Sequence, residues 1–119
     1  MLTDFGKRLR MLRIEKDEKL LDMADRLEIS SSFLSAVENG KKSPPSGFEE
    51  EVITAYDLDK DIADQLRNLA DRARNTFVLK PESDMARNTA GMLARRMDGL
   101  SDNQLIDIQK ILKRSDRNR

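Results

Sequence analysis

The chain has 119 residues, a length that fits one domain or one small domain with an appendage. Its 4% aromatic residues against 38% hydrophobic ones predict an aliphatic, methionine-containing core, which suits helices better than a β-sandwich. With no cysteine and no histidine, disulfide frameworks, Cys/His zinc sites, thiol nucleophiles and histidine general bases are excluded.

Phe5, Leu9 and Leu12 recur at helical spacing behind Thr3 or Asp4 as an N-cap, predicting a first helix over about residues 4–16. Leu20, Met23, Ala24 and Leu27 make a short second helix, about 19–27. Ser30 can cap a third helix with Leu34 and Val37 as its apolar stripe and Gly40 as its stop. Lys41-Lys42-Ser43-Pro44-Pro45 is a loop, because neither proline continues a helix. Ser46 followed three residues later by Glu49 reads as a capping box for a fourth helix carrying Phe48, Val52, Ile53 and Tyr56. Asp59 can cap a fifth, with Ile62, Leu66, Leu69, Ala70 and Ala73 on one face. Five helices within residues 1–74 predict a compact all-α domain.

Beyond Arg74 the texture changes. Thr76-Phe77-Val78-Leu79 reads either as a short strand or as an extended linker. Met85, Thr89, Met92, Leu93 and Met97 mark a helix over about 83–98, and Gly99 stops it. Ser101-x-x-Gln104 is another capping box, and Leu105, Ile108, Ile111 and Leu112 form the stripe of a last helix over about 102–114. Residues 75–114 are expected to be a dimerisation or partner segment, and 115–119 a flexible tail.

Two short helices joined by a tight turn, the second starting at Ser30, make a helix-turn-helix. Ala24 permits the close crossing, Ile29 plugs the turn, and Leu34 and Val37 hold the second helix down. Ser31, Ser32, Ser35 and Ala36 are left facing outward, where such helices meet the base edges of a major groove. The runs Leu9–Arg13, Met23-Ala24 and, most specifically, Ile29–Lys41 resemble the Cro/phage-repressor (xenobiotic-response-element) family of helix-turn-helix regulators over residues 5–70. That resemblance implies a five-helix bundle that dimerises and represses transcription. It implies base contacts from Ser31, Ser32 and Ala36 with Ser35 nearby, and phosphate contacts from Asn39, Lys41 and Lys42. It also implies a partly buried pair, Arg13 with Glu38, tying the first helix to the end of the recognition helix. The family commonly has glutamine at the start of the second helix; this chain has Leu20, which leaves backbone N–H groups for a phosphate there.

The zero net charge hides a segregation: residues 46–73 hold three basic against eight acidic groups, and residues 74–119 ten against six. Long-range pull on DNA is therefore weak, although Lys7 and Arg10 offer further phosphate contacts on the first helix. Bland serine and alanine readout predicts modest base specificity, helped by operator shape. The apolar stripes of the C-terminal segment need burial, and a two-fold homodimer through Phe77, Leu79, Met92, Leu93, Met97, Leu105, Ile108 and Leu112 is expected. The leading function is a sequence-specific repressor acting on double-stranded DNA at an inverted-repeat operator. The alternative is an antitoxin that autoregulates its operon and binds a toxin through the C-terminal segment; an antirepressor is another protein partner of that kind. No cofactor, metal or catalytic residue is expected. The Glu49–Glu51 carboxylates suit a helix N-terminus better than catalysis. No 18-residue apolar run or signal-peptide apolar region occurs, so a cytoplasmic protein without membrane association is expected.

Overall fold

Side-chain caps begin most of the helices in the computed structural model, which describes residues 1–117. The hydroxyl of Thr3 accepts from the Gly6 N–H (3.0 Å) and opens α1, Asp4–Glu15. Ser30 accepts from Phe33 N–H (3.0 Å) before α3, Ser31–Glu38, which follows the short α2, Leu20–Arg26. Asp59 accepts from Ile62 N–H (2.9 Å) before α5, Lys60–Arg72. Each bond satisfies a donor that the first helical turn would otherwise leave open.

The fourth helix departs from the expected capping box. It runs Phe48–Ala55 (α4) behind Gly47, whose φ of 82° places it in the left-handed region, and no side chain caps it. Ser46 lies one residue too early, and the Glu49 carboxylate is committed to Arg74 instead.

Helices α1 to α4 end alike. In each, the residue after the C-cap has positive φ: Asp17 (54°), Glu28 (59°), Gly40 (75°) and Asp57 (48°). The next N–H then reaches back to the helix: Glu18 to the Arg13 carbonyl (2.9 Å), Ile29 to Ala24 (3.0 Å), Lys41 to Ala36 (2.9 Å) and Leu58 to Ile53 (3.1 Å). This double bond-back is the Schellman stop, which usually uses glycine. Here acidic residues fill three of the four left-handed positions.

The N-terminal unit, Met1–Val78, is built around one core. Phe5, Leu9 and Leu12 of α1 meet Met23 and Ala24 of α2, Leu34 and Val37 of α3, Phe48 and Val52 of α4, and Leu66 and Ala70 of α5. Phe5 and Phe48 contact edge to face with ring centroids 6.0 Å apart. α1 packs on α2, α3 and α5, and α2 packs on α3. Ile29, in the α2–α3 turn, is half-buried against this cluster.

The second unit is built on α6, Asp84–Arg96, a short 3₁₀ turn, Met97–Gly99, and α7, Asp102–Arg117. Ser83 caps α6 through the Ala86 N–H (3.0 Å). Ser101 and Gln104 cap α7 reciprocally, at 3.2 Å and 2.9 Å. The helix continues through Arg117, so residues 115–117, expected in a flexible tail, extend α7 instead; residues 118–119 of that tail lie outside the described residues. Residues 76–79 form no regular element, so the expected short strand is not found, and no strand occurs among the described residues. A lone segment with no second strand to pair with forms no ladder. Among the described side chains of this unit none is fully buried; Leu93, Leu100, Leu105 and Ile108 are half-buried, while Met92, Met97 and Leu112 are exposed. Thr89, Met92 and Leu93 of α6 and Ile108, Ile111 and Leu112 of α7 wall an open apolar cavity of about 470 Å³.

Candidate nucleic-acid interface

The orientation of α3 depends on Glu38, its last residue. The Glu38 backbone carbonyl accepts from Thr3 N–H (2.9 Å) and from the Thr3 hydroxyl (3.3 Å). Its carboxylate accepts from Arg13, Nη1 to Oε2 and Nη2 to Oε1 (3.1 Å), a fork-on-fork pair in which the residues are 5% and 2% exposed. Arg13 Nη1 also lies 3.3 Å from the Met23 sulfur. One guanidinium on α1 thus touches both helices of the helix-turn-helix and fixes their relative setting.

Gly6 makes this approach possible. A Cβ at position 6 would lie 2.2 Å from the Glu38 carbonyl oxygen, so only glycine lets the first turn of α1 sit against the end of α3. Neither this contact nor its partner is visible in hydropathy or helical spacing.

Fastened in this way, α3 buries Leu34 and Val37 and leaves the other side accessible: Ser32 is exposed, and Ser31, Ser35 and Ala36 are half-exposed. Asn39 donates its amide N–H to the Ser35 carbonyl (2.9 Å) and to the Ser35 hydroxyl (3.3 Å). The Ser35 hydroxyl is therefore an acceptor toward Asn39 and keeps its own proton to donate outward. The Asn39 amide nitrogen, not its carbonyl oxygen, is the group that could donate to a phosphate, and both of its contacts run to Ser35.

The loop that follows begins on the same helix. The N–H groups of Lys41 and Lys42 both point at the Ala36 carbonyl, at 2.9 and 3.2 Å. Both lysines are exposed, and the Lys42 ammonium lies 5.6 Å from the Phe33 ring centre, a cation–π distance. Lys7 and Arg10 are exposed on α1; among the described residues no side-chain hydrogen bond or ion pair joins them to α3.

At its far end the loop meets Arg74, a residue that periodicity and motif left unassigned. Arg74 donates from Nε to the Pro44 carbonyl (2.9 Å) and from Nη2 to the Pro45 carbonyl (2.6 Å). Nη1 and Nη2 also grip both Glu49 carboxylate oxygens, at 2.8 and 2.6 Å. The side chains are 7% and 11% exposed. The Arg74 hydrogen bonds, more than the opposing desolvation, hold the Glu49 carboxyl below its ordinary value.

A family model for a helix-turn-helix domain matches residues 4–66, more than half of the chain. The chain belongs to the helix-turn-helix domain family. The match spans α1 to α4 and the first half of α5, which includes the Arg13–Glu38 pair and the whole of α3. Membership supports a DNA-binding regulator of transcription rather than an enzyme. No curated protein matches the chain, and no solved structure does. Among the described residues, no cluster of acidic side chains could hold a metal ion, and no helix is long and apolar enough to cross a membrane.

Proposed function

We propose that this helix-turn-helix protein is a sequence-specific repressor of the Cro/phage-repressor type that binds an inverted-repeat operator as a homodimer. The observation that carries this reading is α3: pinned from behind at Glu38 and by Leu34 and Val37, it keeps Ser31, Ser32, Ser35 and Ala36 accessible to a major groove. Lys41 and Lys42, with Lys7 and Arg10, supply the phosphate contacts, and the Asn39 amide joins them. Serine and alanine discriminate bases weakly, so operator shape and half-site spacing supply much of the specificity.

Selection of bound duplexes from a random pool tests this directly. The expected product is a two-fold motif with half-site centres about 34 Å or a multiple apart. Affinity should fall linearly with salt on logarithmic axes. A pool that shows no enrichment, or binding indifferent to salt, would defeat the proposal.

The homodimer draws its support from the second unit, where a Met/Leu/Ile face of α6 and α7 stays open to solvent. Sedimentation of a chain ending at Asn75 should give a monomer where the full chain gives a dimer. The same apolar face favours one other reading, an antitoxin whose C-terminal segment occludes a toxin; stoichiometric co-purification of a second chain encoded beside this one would distinguish it.

A further inference from the structure

We propose that Arg74 is a positioning residue for DNA binding: braced on Glu49, its hydrogen bonds to the Pro44 and Pro45 carbonyls hold the Lys41–Pro45 loop in the shape that presents Lys41 and Lys42 to the phosphate backbone. The inference rests on the DNA-binding reading above and adds to it a residue outside both the helix-turn-helix and the matched segment.

The loop is tethered at two points. At its start, the Ala36 carbonyl accepts from the Lys41 and Lys42 N–H groups. At its end, Pro44 and Pro45 have no N–H to donate, so only their carbonyls can anchor the backbone. Both carbonyls accept from Arg74, the first residue after the C-cap of α5, and the Pro45 carbonyl also accepts from the Phe48 N–H (3.0 Å). A guanidinium offers five donors in a planar fork, and four contacts are made here, two to the loop and two to Glu49 at the first turn of α4. Asp71, 3.7 Å from Nη1, adds a further negative neighbour. Pro44 itself is buried, so the tether is a packed junction. Between the two tethers lies only Ser43, so the backbone of the two lysines has little freedom while both ends hold.

Positioning of this kind separates from simple stabilisation in a double-mutant cycle. In the full chain, Arg74→Gln is combined with Glu49→Gln, which leaves no unpaired buried charge and so favours retention of the fold; circular dichroism checks that retention. Binding to the selected operator duplex is then followed across a salt series. The expected result is a loss of about tenfold or more in affinity and a salt slope shallower by about one to two per protomer, as each lost phosphate contact removes about 0.9. The ranking of operator variants should be unchanged, because the bases are read by α3. In a background where Lys41 and Lys42 are already alanine, the same pair of changes should have no further effect on binding. Amide hydrogen exchange, read without DNA, should show faster exchange at Lys41 and Lys42 when the clamp is removed.

Equal affinity and slope with and without the clamp would overturn the proposal while leaving the DNA-binding reading intact. A further loss in the lysine-free background would also overturn it, because Arg74 would then act by another route. If the unmodified chain bound no duplex, the DNA-binding reading itself would fall and this inference with it, whatever the exchange data showed.

Discussion

Replacing Glu38 with alanine removes the carboxylate that pairs with Arg13 while leaving the backbone carbonyl at position 38 and its two Thr3 bonds in place. Arg13 is 5% exposed and would remain charged, with only the Met23 sulfur, a weak acceptor, near its Nη1. Breaking one side of a buried pair costs about 3–5 kcal/mol. A unit of this size has about 4–12 kcal/mol in total, so the loss takes a quarter or more of its stability. In urea melts followed by circular dichroism, Glu38→Ala should lower the midpoint without changing the slope. In thermal melts it should lower Tm by at least about 12 °C. The double change Arg13→Met with Glu38→Leu should recover most of the loss, since two apolar groups of similar size need no partner. A Glu38→Ala loss under about 1 kcal/mol, or a double variant no better than the single one, would refute the view that this buried pair sets the angle of α3.

Three other outcomes follow from geometry elsewhere in the N-terminal unit. Gly6→Ala should destabilise by about 1–3 kcal/mol or more in the same melts, as overpacking does, because the new methyl meets backbone rather than a yielding side chain. A near-neutral result would mean that α1 and α3 separate at little cost. The Glu49 carboxyl, held down chiefly by its hydrogen bonds to Arg74, binds its proton more weakly in the folded chain than in the unfolded one. Its contribution is complete above the ordinary value of 4.5 and is lost as pH falls through the lower folded value, so Glu49→Gln should flatten the acid limb of a stability-against-pH curve; an unchanged limb would count against the pairing. Tyr56, the single tyrosine, is 5% exposed, and burial pushes its phenol up to about 12. The unfolded chain ionises first, near 10, so stability falls as pH rises above that value, and ultraviolet ionisation should coincide with loss of helix signal. Ionisation near pH 10 with helicity intact would contradict this.

What could be read from the sequence was mostly local. Ser30, Asp59 and Ser101 are legible as helix starts, and Thr3 as one of two candidates, because each cap acts over three residues, and the apolar spacing of α1 to α5 shows which faces are buried. Three of the helix ends were harder, since Asp17, Glu28 and Asp57 occupy positions where glycine would have been the signal. Ser46 misled for a related reason: its spacing to Glu49 satisfies the capping-box pattern, yet a partner 25 residues away outcompetes the local bond. Arg13 and Glu38 are likewise 25 apart, and their pairing was reachable only through family resemblance, never through periodicity. Gly6 gave no signal at all, because the need for a missing side chain is created entirely by the oxygen that α3 places there.

The three acidic residues in left-handed conformation leave this bundle room to become hardier. Each carries a Cβ where the backbone disfavours one, at about 1–2 kcal/mol, and sets a negative charge beside the negative end of a helix dipole. Both penalties vanish with glycine, and the more flexible unfolded chain takes back only part of the gain. None of the three is among the residues proposed to touch DNA. A heat-tolerant descendant could therefore arise through Asp17, Glu28 and Asp57 with every side chain of α3 unaltered.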